Sequence, residues 1–327
     1  MTDFNSNKIF EIASENDFIN CAIELFNYQY SNCNIYRKYC EYRNINPKSV
    51  STLEAIPFLP IQFFKSHQIV DKQKSTETIF TSSGTTSQNT SSHYVCDIEI
   101  YKKSFLNGYK LFYGNPSEYS ILALLPSYLE REGSSLVFMV KELIELSNHN
   151  GSGFYLHNMD ELYEKLQQNE LENRKTLLIG VSFALLEFAE KFPISLSNTI
   201  VMETGGMKGR GKELTRTDLH DIFKKQFSLE NIHSEYGMTE LLSQAYSKGK
   251  GIFTTPPWMK ILVRDIYDPF TFNKNGNKGG INIIDLANIH SCSFIETQDL
   301  GVILHEGFFE VSGRIDNSDI RGCNLMV

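Results

Sequence analysis

The sequence lacks a dense block of lysine and arginine, and its formal net charge is -8 at pH 7. Nucleic-acid-binding proteins typically present a basic patch, so this absence argues against that class of partner. The chain also lacks an uncharged apolar run of roughly 18 to 20 residues, the length of a membrane-spanning helix. Its N-terminus, MTDFNSNKIFEIASENDF, is too polar and acidic for a secretory signal. We therefore expect a cytoplasmic protein without a membrane span.

Cysteine pairs at metal-binding or redox spacing are absent as well. The cysteines are scattered, with no C-x-x-C pair and no histidine at zinc-finger spacing: Cys21, Cys33, Cys40, Cys96, Cys292 and Cys323. Neither a zinc site nor a disulfide framework is predicted, and most of these thiols are expected to be reduced and structural. Cys323 differs from the others because it lies in a polar segment close to the C-terminus.

The first 70 residues are expected to be helical, apart from an extended segment broken by Pro57 and Pro60, and from about residue 98 to 250 short apolar runs alternate with amphipathic segments. The runs YSILALLP, KTLLIGV, NTIVMETGG and NIHSEYG predict strands, and IYKKSFLNGYKLFYG, GSSLVFMVKELIELS, FALLEFAEKF and LTRTDLHDIFKKQF predict helices, the last capped near Glu213 or Thr215. This alternation is typical of an α/β fold in which helices cover a sheet. From about Gly251 the pattern changes to alternating strands with NG and GG turns, which predicts an attached β-rich subdomain.

The segment FTSSGTTSQNTSSHYV, residues 80–95, is rich in hydroxyl side chains and contains one glycine. Small residues let successive backbone N–H groups converge on an anion, and hydroxyls add further donors. The residues suited to this role are Thr81, Ser82, Ser83, Gly84, Thr85, Thr86 and Ser87. A flexible surface loop would have a similar composition. A P-loop is excluded because no lysine follows Gly84 before Lys102.

Three later segments favour a nucleotide site. SEYGMTE places Thr239 and Glu240 at an expected helix start, where a hydroxyl can meet a phosphate and a carboxylate can hold Mg²⁺. TQDLG places Asp299 at an expected strand–turn junction, suited to a ribose diol. SGRIDNSDIRG is expected to form a turn that contains Arg314, Asp316 and Asp319.

In this order the motifs resemble those of the adenylate-forming superfamily. The matching residues are Thr81 to Ser87, the pair Gly205 and Gly206, Tyr236 to Glu240 including Gly237, Thr297 with Asp299, and Gly313 with Arg314. Within that superfamily, the strings IPFLPIQFFKSH, FTSSGTTSQ, ETGGMKGRGKE, EYGMTELLSQAY, PPWMKILVRD and RGCNL resemble the LuxE-type acyl-protein synthetases. The resemblance extends from roughly residue 50 to the C-terminus.

The resemblance implies ATP-dependent activation of a fatty acid as an acyl-adenylate, followed by transfer to a cysteine and delivery to a partner acyl reductase. The Thr81–Ser87 loop would hold the β- and γ-phosphates, Tyr236 would stack on adenine beside Gly205 and Gly206, and Thr239 would bind the α-phosphate. Glu240 would bind Mg²⁺, Asp299 the ribose hydroxyls and Arg314 the nucleotide near a hinge. Cys323 would accept the acyl group.

The sequence departs from the superfamily pattern at its C-terminal end. Members usually have a mobile lid of roughly a hundred residues with a catalytic lysine, and we expect that lid to be absent or truncated here. The expected organisation is an adenylate-forming core over residues 1–312, with a hinge-like segment and short tail over 313–327. Lys208 and Arg210 are the candidates for replacing the lid lysine. Two alternatives stay open: an acyl- or aryl-CoA ligase of the phenylacetate type, and a non-catalytic nucleotide-binding subunit.

Overall fold

The structure, a computed structural model, describes residues 4–82, 90–125, 133–155, 158–205, 214–305 and 307–315. The helices are α1 (Glu15–Asn32), α2 (Asn34–Tyr42), α3 (Phe63–Ser66), α4 (Ile98–Tyr113), α5 (Ser135–Ser147), α6 (Met159–Leu171), α7 (Ser182–Lys191) and α8 (Arg216–Phe227). Short 3₁₀ helices span Ser6–Glu11, Pro47–Ser49 and Pro116–Glu118.

The strands range from 2 to 10 residues in length. They are β1 (Leu59–Pro60), β2 (Thr78–Thr81), β3 (Ser92–Val95), β4 (Ser120–Leu124), β5 (Gly153–Phe154), β6 (Thr176–Val181), β7 (Thr199–Thr204), β8 (His233–Tyr236), β9 (Ala245–Ser247), β10 (Ile252–Thr254), β11 (Met259–Arg264), β12 (Gly279–Asp285), β13 (Phe294–Ile303) and β14 (Phe309–Arg314). The chain divides into two compact units, one from residues 1–77, 93–97 and 257–327 and one from residues 78–92 and 98–256.

The unit from residues 78–92 and 98–256 is built on a mixed sheet in the order β10-β9-β8-β7-β6-β4-β5. Strands β5, β4, β6, β7 and β8 are parallel to one another, whereas β9 is antiparallel to both β8 and β10. Every residue of β4 and β6 is buried. Strands that are apolar on both faces need cover on both, which is why helical segments alternate with them in the sequence.

Helix α8 begins where the sequence predicts a cap. The Thr215 hydroxyl accepts a hydrogen bond from the Asp218 N–H at 3.2 Å, so it satisfies one of the free N–H groups of the first turn. The buried residues of α8 lie on one face at helical spacing: Leu219, His220, Phe223 and Phe227. Because Arg216 opens the helix, this packing also fixes Arg216 and His220 beside the sheet.

The other unit contains an antiparallel sheet in the order β11-β12-β13-β14, with β1 parallel to β13. The buried Arg264 guanidinium ties three of these strands together, donating to the Ile281 carbonyl at 3.0 Å and to the Thr297 carbonyl at 2.7 Å. A Cβ at position 280 would lie 2.5 Å from the Arg264 Cζ, so Gly280 makes room for the guanidinium. Helices α1 and α2 add the aromatic core around Phe294.

The α/β fold predicted from the sequence is confirmed, but three local predictions are wrong. Thr239 and Glu240 lie in a turn between β8 and β9, so they do not start a helix. Asp299 lies inside β13, and Arg314 is the last residue of β14, where it pairs with Asp299 across the ladder. Helix α6 and the short strands β5, β9 and β10 were not predicted. Within the described residues, no helix combines the length and apolar character that crossing a membrane requires.

Candidate active site

The predicted nucleotide motifs follow two neighbouring parallel strands. Strand β7 ends at Thr204 and β8 at Tyr236, and Thr204 is paired in register with Glu235. Gly205 and Tyr236 therefore come to adjacent positions at the carboxyl edge of the sheet. In α/β sheets this is the edge at which ligands bind.

Glu203 is buried on the sheet face that α7 and α8 cover. Its Oε1 lies 3.2 Å from the Arg216 Nε and 3.6 Å from the His220 Nε2, and its Oε2 accepts from the Ser182 hydroxyl at 3.1 Å. Burial alone would raise the pKa of Glu203, but the His220 hydrogen bond and the Arg216 charge outweigh burial, so its pKa is lowered. Glu203 is therefore an ionised carboxylate that holds the first turn of α8 against the sheet.

Glu235 lies one residue further along the register, on the opposite face of the sheet. Its carboxyl group accepts a hydrogen bond from the Thr204 hydroxyl. Burial is the main cause that raises the pKa of Glu235 to about 7; the Thr204 hydrogen bond opposes the rise, and the Glu203 charge adds to it. Two buried carboxyl groups at one sheet edge thus differ in their ionisation near neutral pH.

Gly237 lies directly above the Glu235 side chain. A Cβ at position 237 would stand 2.4 Å from the Glu235 Oε1 and 3.3 Å from the Gln244 Cγ, so a side chain there would displace the carboxyl group. Any other residue at this position of the SEYGMTE motif would therefore make the buried acid two residues before it shift.

The backbone at the end of β7 is anchored by α7. Gly205 has a φ of +70°, a conformation that L-residues rarely adopt, and its carbonyl accepts from the Ser182 hydroxyl at 2.6 Å. Gly205 is exposed, and an added Cβ would meet no atom within 4 Å. Gly206, Lys208 and Arg210 lie outside the described residues, so their predicted roles stay predictions.

Tyr236 is packed at the end of β8, with 8% of its surface exposed. Its ring meets Phe253 edge-on at a centroid distance of 5.9 Å, and the Arg216 guanidinium lies 5.1 Å from the centre of the same phenyl ring. The cluster of Tyr236, Phe253 and Arg216 connects β8, β10 and the start of α8.

Thr239 and Glu240 lie in the turn that follows Gly237. The Leu241 N–H donates to the Met238 carbonyl at 3.1 Å across this turn. Thr239 is half-buried, and Glu240 is 6% exposed. Among the residues that the structure describes, no group of three or more histidine, cysteine, aspartate or glutamate side chains forms a metal cluster.

The hydroxyl-rich loop is closed at its base. The Ser82 N–H donates to the Ser91 carbonyl at 3.0 Å, and the Ser91 N–H donates to the Ser82 hydroxyl at 2.9 Å. Thr81 donates its N–H to the carbonyl of Gly133 at 2.8 Å, next to the start of α5. The remaining candidates for phosphate binding lie outside the described residues: Ser83, Gly84, Thr85, Thr86 and Ser87.

Asp299 and Arg314 belong to the other unit and are paired there. The Arg314 Nε lies 3.3 Å from the Asp299 Oδ1, and the Arg314 side chain is 77% exposed. The Thr297 hydroxyl accepts from the Asp299 N–H at 3.1 Å. Thr297 of the T-x-D motif therefore orients the aspartate backbone. Cys323 lies outside the described residues.

Sequence reasoning missed the buried ionic cluster of Glu203, Arg216 and His220, and it gave no role to Glu235. A signal was present, because Glu203 and Glu235 each stand near the end of an otherwise buried strand segment, in TIVMETGG and HSEYG. A carboxylate in such a run needs a partner or a raised pKa.

Solved structures with a similar fold are adenylate-forming ligases. The ATP-bound MatB from Rhodopseudomonas palustris has a TM-score of 0.56 at 15% identity over 76% of this chain and 49% of that one. 2-Hydroxyisobutyryl-CoA ligase in the postadenylation state with R3-HIB-AMP has a TM-score of 0.66 at 10% identity over 93% of this chain and 68% of that one. Its open conformation with 2-HIB-AMP and CoA has a TM-score of 0.63 at 10% identity, over 93% and 70% of the two chains.

At these identities the likeness establishes the fold. The chain spans about half the length of the MatB structures, at 49%. A family model described as acyl-protein synthetase, LuxE, matches residues 10–103, a range that includes the hydroxyl-rich loop. A search of curated proteins gave no significant match. The family match over residues 10–103 and the shared fold confirm the predicted resemblance to LuxE-type proteins of the adenylate-forming superfamily.

Proposed function

We propose that this chain uses ATP to activate a carboxylic acid as an acyl-adenylate. The observation that supports this most directly is the juxtaposition of Gly205 and Tyr236 at the ends of adjacent parallel strands, with Thr239 and Glu240 in the turn that follows. That arrangement puts an exposed backbone position, an aromatic side chain, a hydroxyl and a carboxylate along one sheet edge. ATP-bound MatB, which shares the fold, supports ATP as the nucleotide.

In this proposal Tyr236 and the Gly205–Gly206 backbone contact adenine, Thr239 donates to the α-phosphate, and the Thr81–Ser87 loop receives the β- and γ-phosphates. The tie between Ser82 and Ser91 fixes the base of that loop. Asp299 binds the ribose hydroxyls, and Arg314, whose guanidinium is largely exposed, is available to the nucleotide. Lys208 and Arg210 supply positive charge near the phosphates.

Glu240 fits a role in binding Mg²⁺. This ion is usually held by one or two carboxylates together with substrate phosphates rather than by a cage of protein ligands. A single carboxylate beside a phosphate-binding hydroxyl is therefore a suitable ligand set. When bound, the ion would neutralise charge on the phosphates.

The reaction needs positioning more than acid–base chemistry. A carboxylate oxygen of the acid attacks the α-phosphorus, the bond from that phosphorus to the β-phosphate oxygen breaks, and pyrophosphate leaves. The acid is then a mixed anhydride with AMP. A thiolate attacks its carbonyl carbon, a thioester forms and AMP leaves.

We assign the thiol to Cys323, the acid to a fatty acid and the onward acceptor to an acyl reductase. The five cysteines that the structure describes are all buried: Cys21, Cys33, Cys40, Cys96 and Cys292. Burial raises the pKa of Cys21 and Cys96 to about 11, which leaves few thiolates at neutral pH. This supports a thiol elsewhere, and Cys323 is the remaining cysteine of the chain.

The test is incubation of the protein with Mg-ATP and a panel of radiolabelled acids, followed by a denaturing gel and hydroxylamine treatment. We expect a label on the chain that hydroxylamine removes and that is lost in Cys323→Ser but kept in Cys96→Ser, the matched control. Glu240→Gln should lower acid-dependent pyrophosphate release by at least about tenfold, since Mg²⁺ loses its carboxylate.

Other outcomes would replace parts of the proposal. Pyrophosphate release that depends on the acid, with AMP appearing only when coenzyme A is added, would favour a CoA ligase, the activity named for the 2-hydroxyisobutyryl-CoA ligase structures. ATP binding without pyrophosphate release for any acid would mean a non-catalytic nucleotide-binding subunit.

A further inference from the structure

Glu235 has features that its burial alone does not explain. Its carboxyl group lies between Thr204, the last residue of β7, and Gly237, the first residue after β8. These residues begin the two loops that the proposed function assigns to adenine and to the phosphates. The Glu235 side chain therefore contacts the residue at which each of the two loops begins.

No cation neutralises Glu235 among the contacts described for it. The ionisable neighbours on the packed elements are Glu203 on β7, Tyr246 on β9 and Tyr113 on α4. Burial raises the pKa of both tyrosines well above the usual value, so both are neutral. Arg216 and His220 bind Glu203 on the opposite face of the sheet. Among the residues that the structure describes, the charged group that acts on Glu235 is therefore another carboxylate, that of Glu203.

We propose that Glu235 is a positioning residue that takes up a proton when nucleotide binds, so that the neutral carboxyl group, held by Thr204 beneath Gly237, fixes the backbone at the ends of β7 and β8. This inference rests on the proposed function, because it requires ATP at this edge of the sheet.

The direction of the effect follows from charge. A polyphosphate brought to the edge of the sheet adds negative charge near a carboxyl group whose pKa is already about 7. Like charge disfavours the ionised form further, so binding and protonation favour each other. Glu235 does not contact the reacting atoms in this account; it acts through the backbone of Tyr236 and Gly237.

The experiment is calorimetric titration of the full chain with Mg-ATP at pH 6.5, 7.5 and 8.5, each in two buffers of different ionisation enthalpy. For the unaltered protein we expect proton uptake on binding and a dissociation constant that rises by at least about fivefold across this range, as one linked proton requires. Glu235→Gln, a neutral side chain of the same shape, should bind tightly at all three pH values with less proton uptake.

Two further variants separate positioning from simple filling of space. Thr204→Val removes the hydroxyl that lowers the pKa of Glu235, so the pH of greatest proton uptake should rise, whereas Thr204→Ser should resemble the unaltered protein. Glu170→Gln is the matched control. Glu170 accepts hydrogen bonds from the Ser197 N–H and the Thr199 hydroxyl at the amino end of β7, the strand that ends at Thr204. It should leave proton uptake unchanged.

The failure of this inference differs from the failure of the proposed function. Equal proton uptake in the unaltered protein and in Glu235→Gln would overturn the role of Glu235 while leaving ATP binding established. Absence of ATP binding to the unaltered protein at every pH would overturn both.

Discussion

Two buried glutamates at the same sheet edge, Glu203 and Glu235, illustrate how the environment decides ionisation. They belong to adjacent parallel strands and their positions differ by one step of the register. Glu203 faces Arg216, His220 and Ser182, and its pKa is lowered. Glu235 faces Thr204 and two neutral tyrosines, and its pKa is raised to about 7. Arg216 and His220 on α8 surround Glu203, whereas no cation is among the partners described for Glu235.

The two glutamates therefore have different roles. The ionised Glu203 fixes the start of α8 and is a structural group. Glu235 titrates near neutral pH, and a group of that kind at a ligand-binding edge is a candidate for function. Burial of a carboxyl group is common to both, so burial alone would not have distinguished them.

The largest expected effect comes from removing the charge of Glu203. Glu203→Gln leaves Arg216 and His220 facing a neutral amide, and we expect the free energy of unfolding at pH 7.5 to fall by about 3 to 4 kcal/mol. The contribution of Glu203 is present above its unfolded pKa and is lost as pH falls through its lowered pKa, so the loss should shrink in acid. Urea denaturation measures it. Glu190→Gln on the exposed side of α7 is the control, and an equal loss in both variants would contradict the assignment.

For Glu235 we expect the opposite dependence of stability on pH. Its pKa is raised from 4.5 to about 7, so the folded protein binds this proton more tightly than the unfolded chain, and stability is lost as pH rises between those values. Glu235→Gln should remove that loss and be more stable than the unaltered protein by about 2 to 3 kcal/mol at pH 8. Thermal unfolding at pH 5 and pH 8 tests this, and a pH-independent difference would contradict a titrating Glu235.

A smaller effect is expected where Gly237 covers Glu235. The Cβ of Gly237→Ala would stand 2.4 Å from the Glu235 Oε1, so the carboxyl group has to move away from Thr204. We expect a loss of about 1 to 2 kcal/mol in the free energy of unfolding. In a Glu235→Asp background the shorter acid leaves room for the methyl group, so the loss should be smaller. Additive losses in the double variant would show that the two positions do not interact.

Much of the fold could be predicted because the signals are local. The apolar run of β6, the helical spacing in α4 and the cap at Thr215 each lie within a few residues of the element that they specify. The turn at Thr239 was mistaken for a helix because Thr-Glu after a strand also matches a helix start. In the structure the chain turns back there to form β9, which pairs antiparallel with β8. Helix α6 was missed because its exposed face is polar and few of its residues are buried.

The candidate site was only partly predictable, for a different reason. The motif residues could be found by their order along the chain, including Gly205, Tyr236 and Asp299. The ionisation of the buried acids could not be predicted from the sequence. Arg216 lies 13 residues from Glu203 in the sequence, and Thr204 lies 31 residues from Glu235. Such contacts depend on which strands become neighbours and on which face each side chain lies.

The contact between Gly237 and Glu235 has a consequence for natural variation among related chains. Because the carboxyl group occupies the space in which a Cβ at position 237 would stand, the sizes of the side chains at positions 235 and 237 depend on each other. A relative with alanine or a larger residue at the position of Gly237 should have a residue shorter than glutamate at the position of Glu235. The two substitutions should therefore occur together rather than singly.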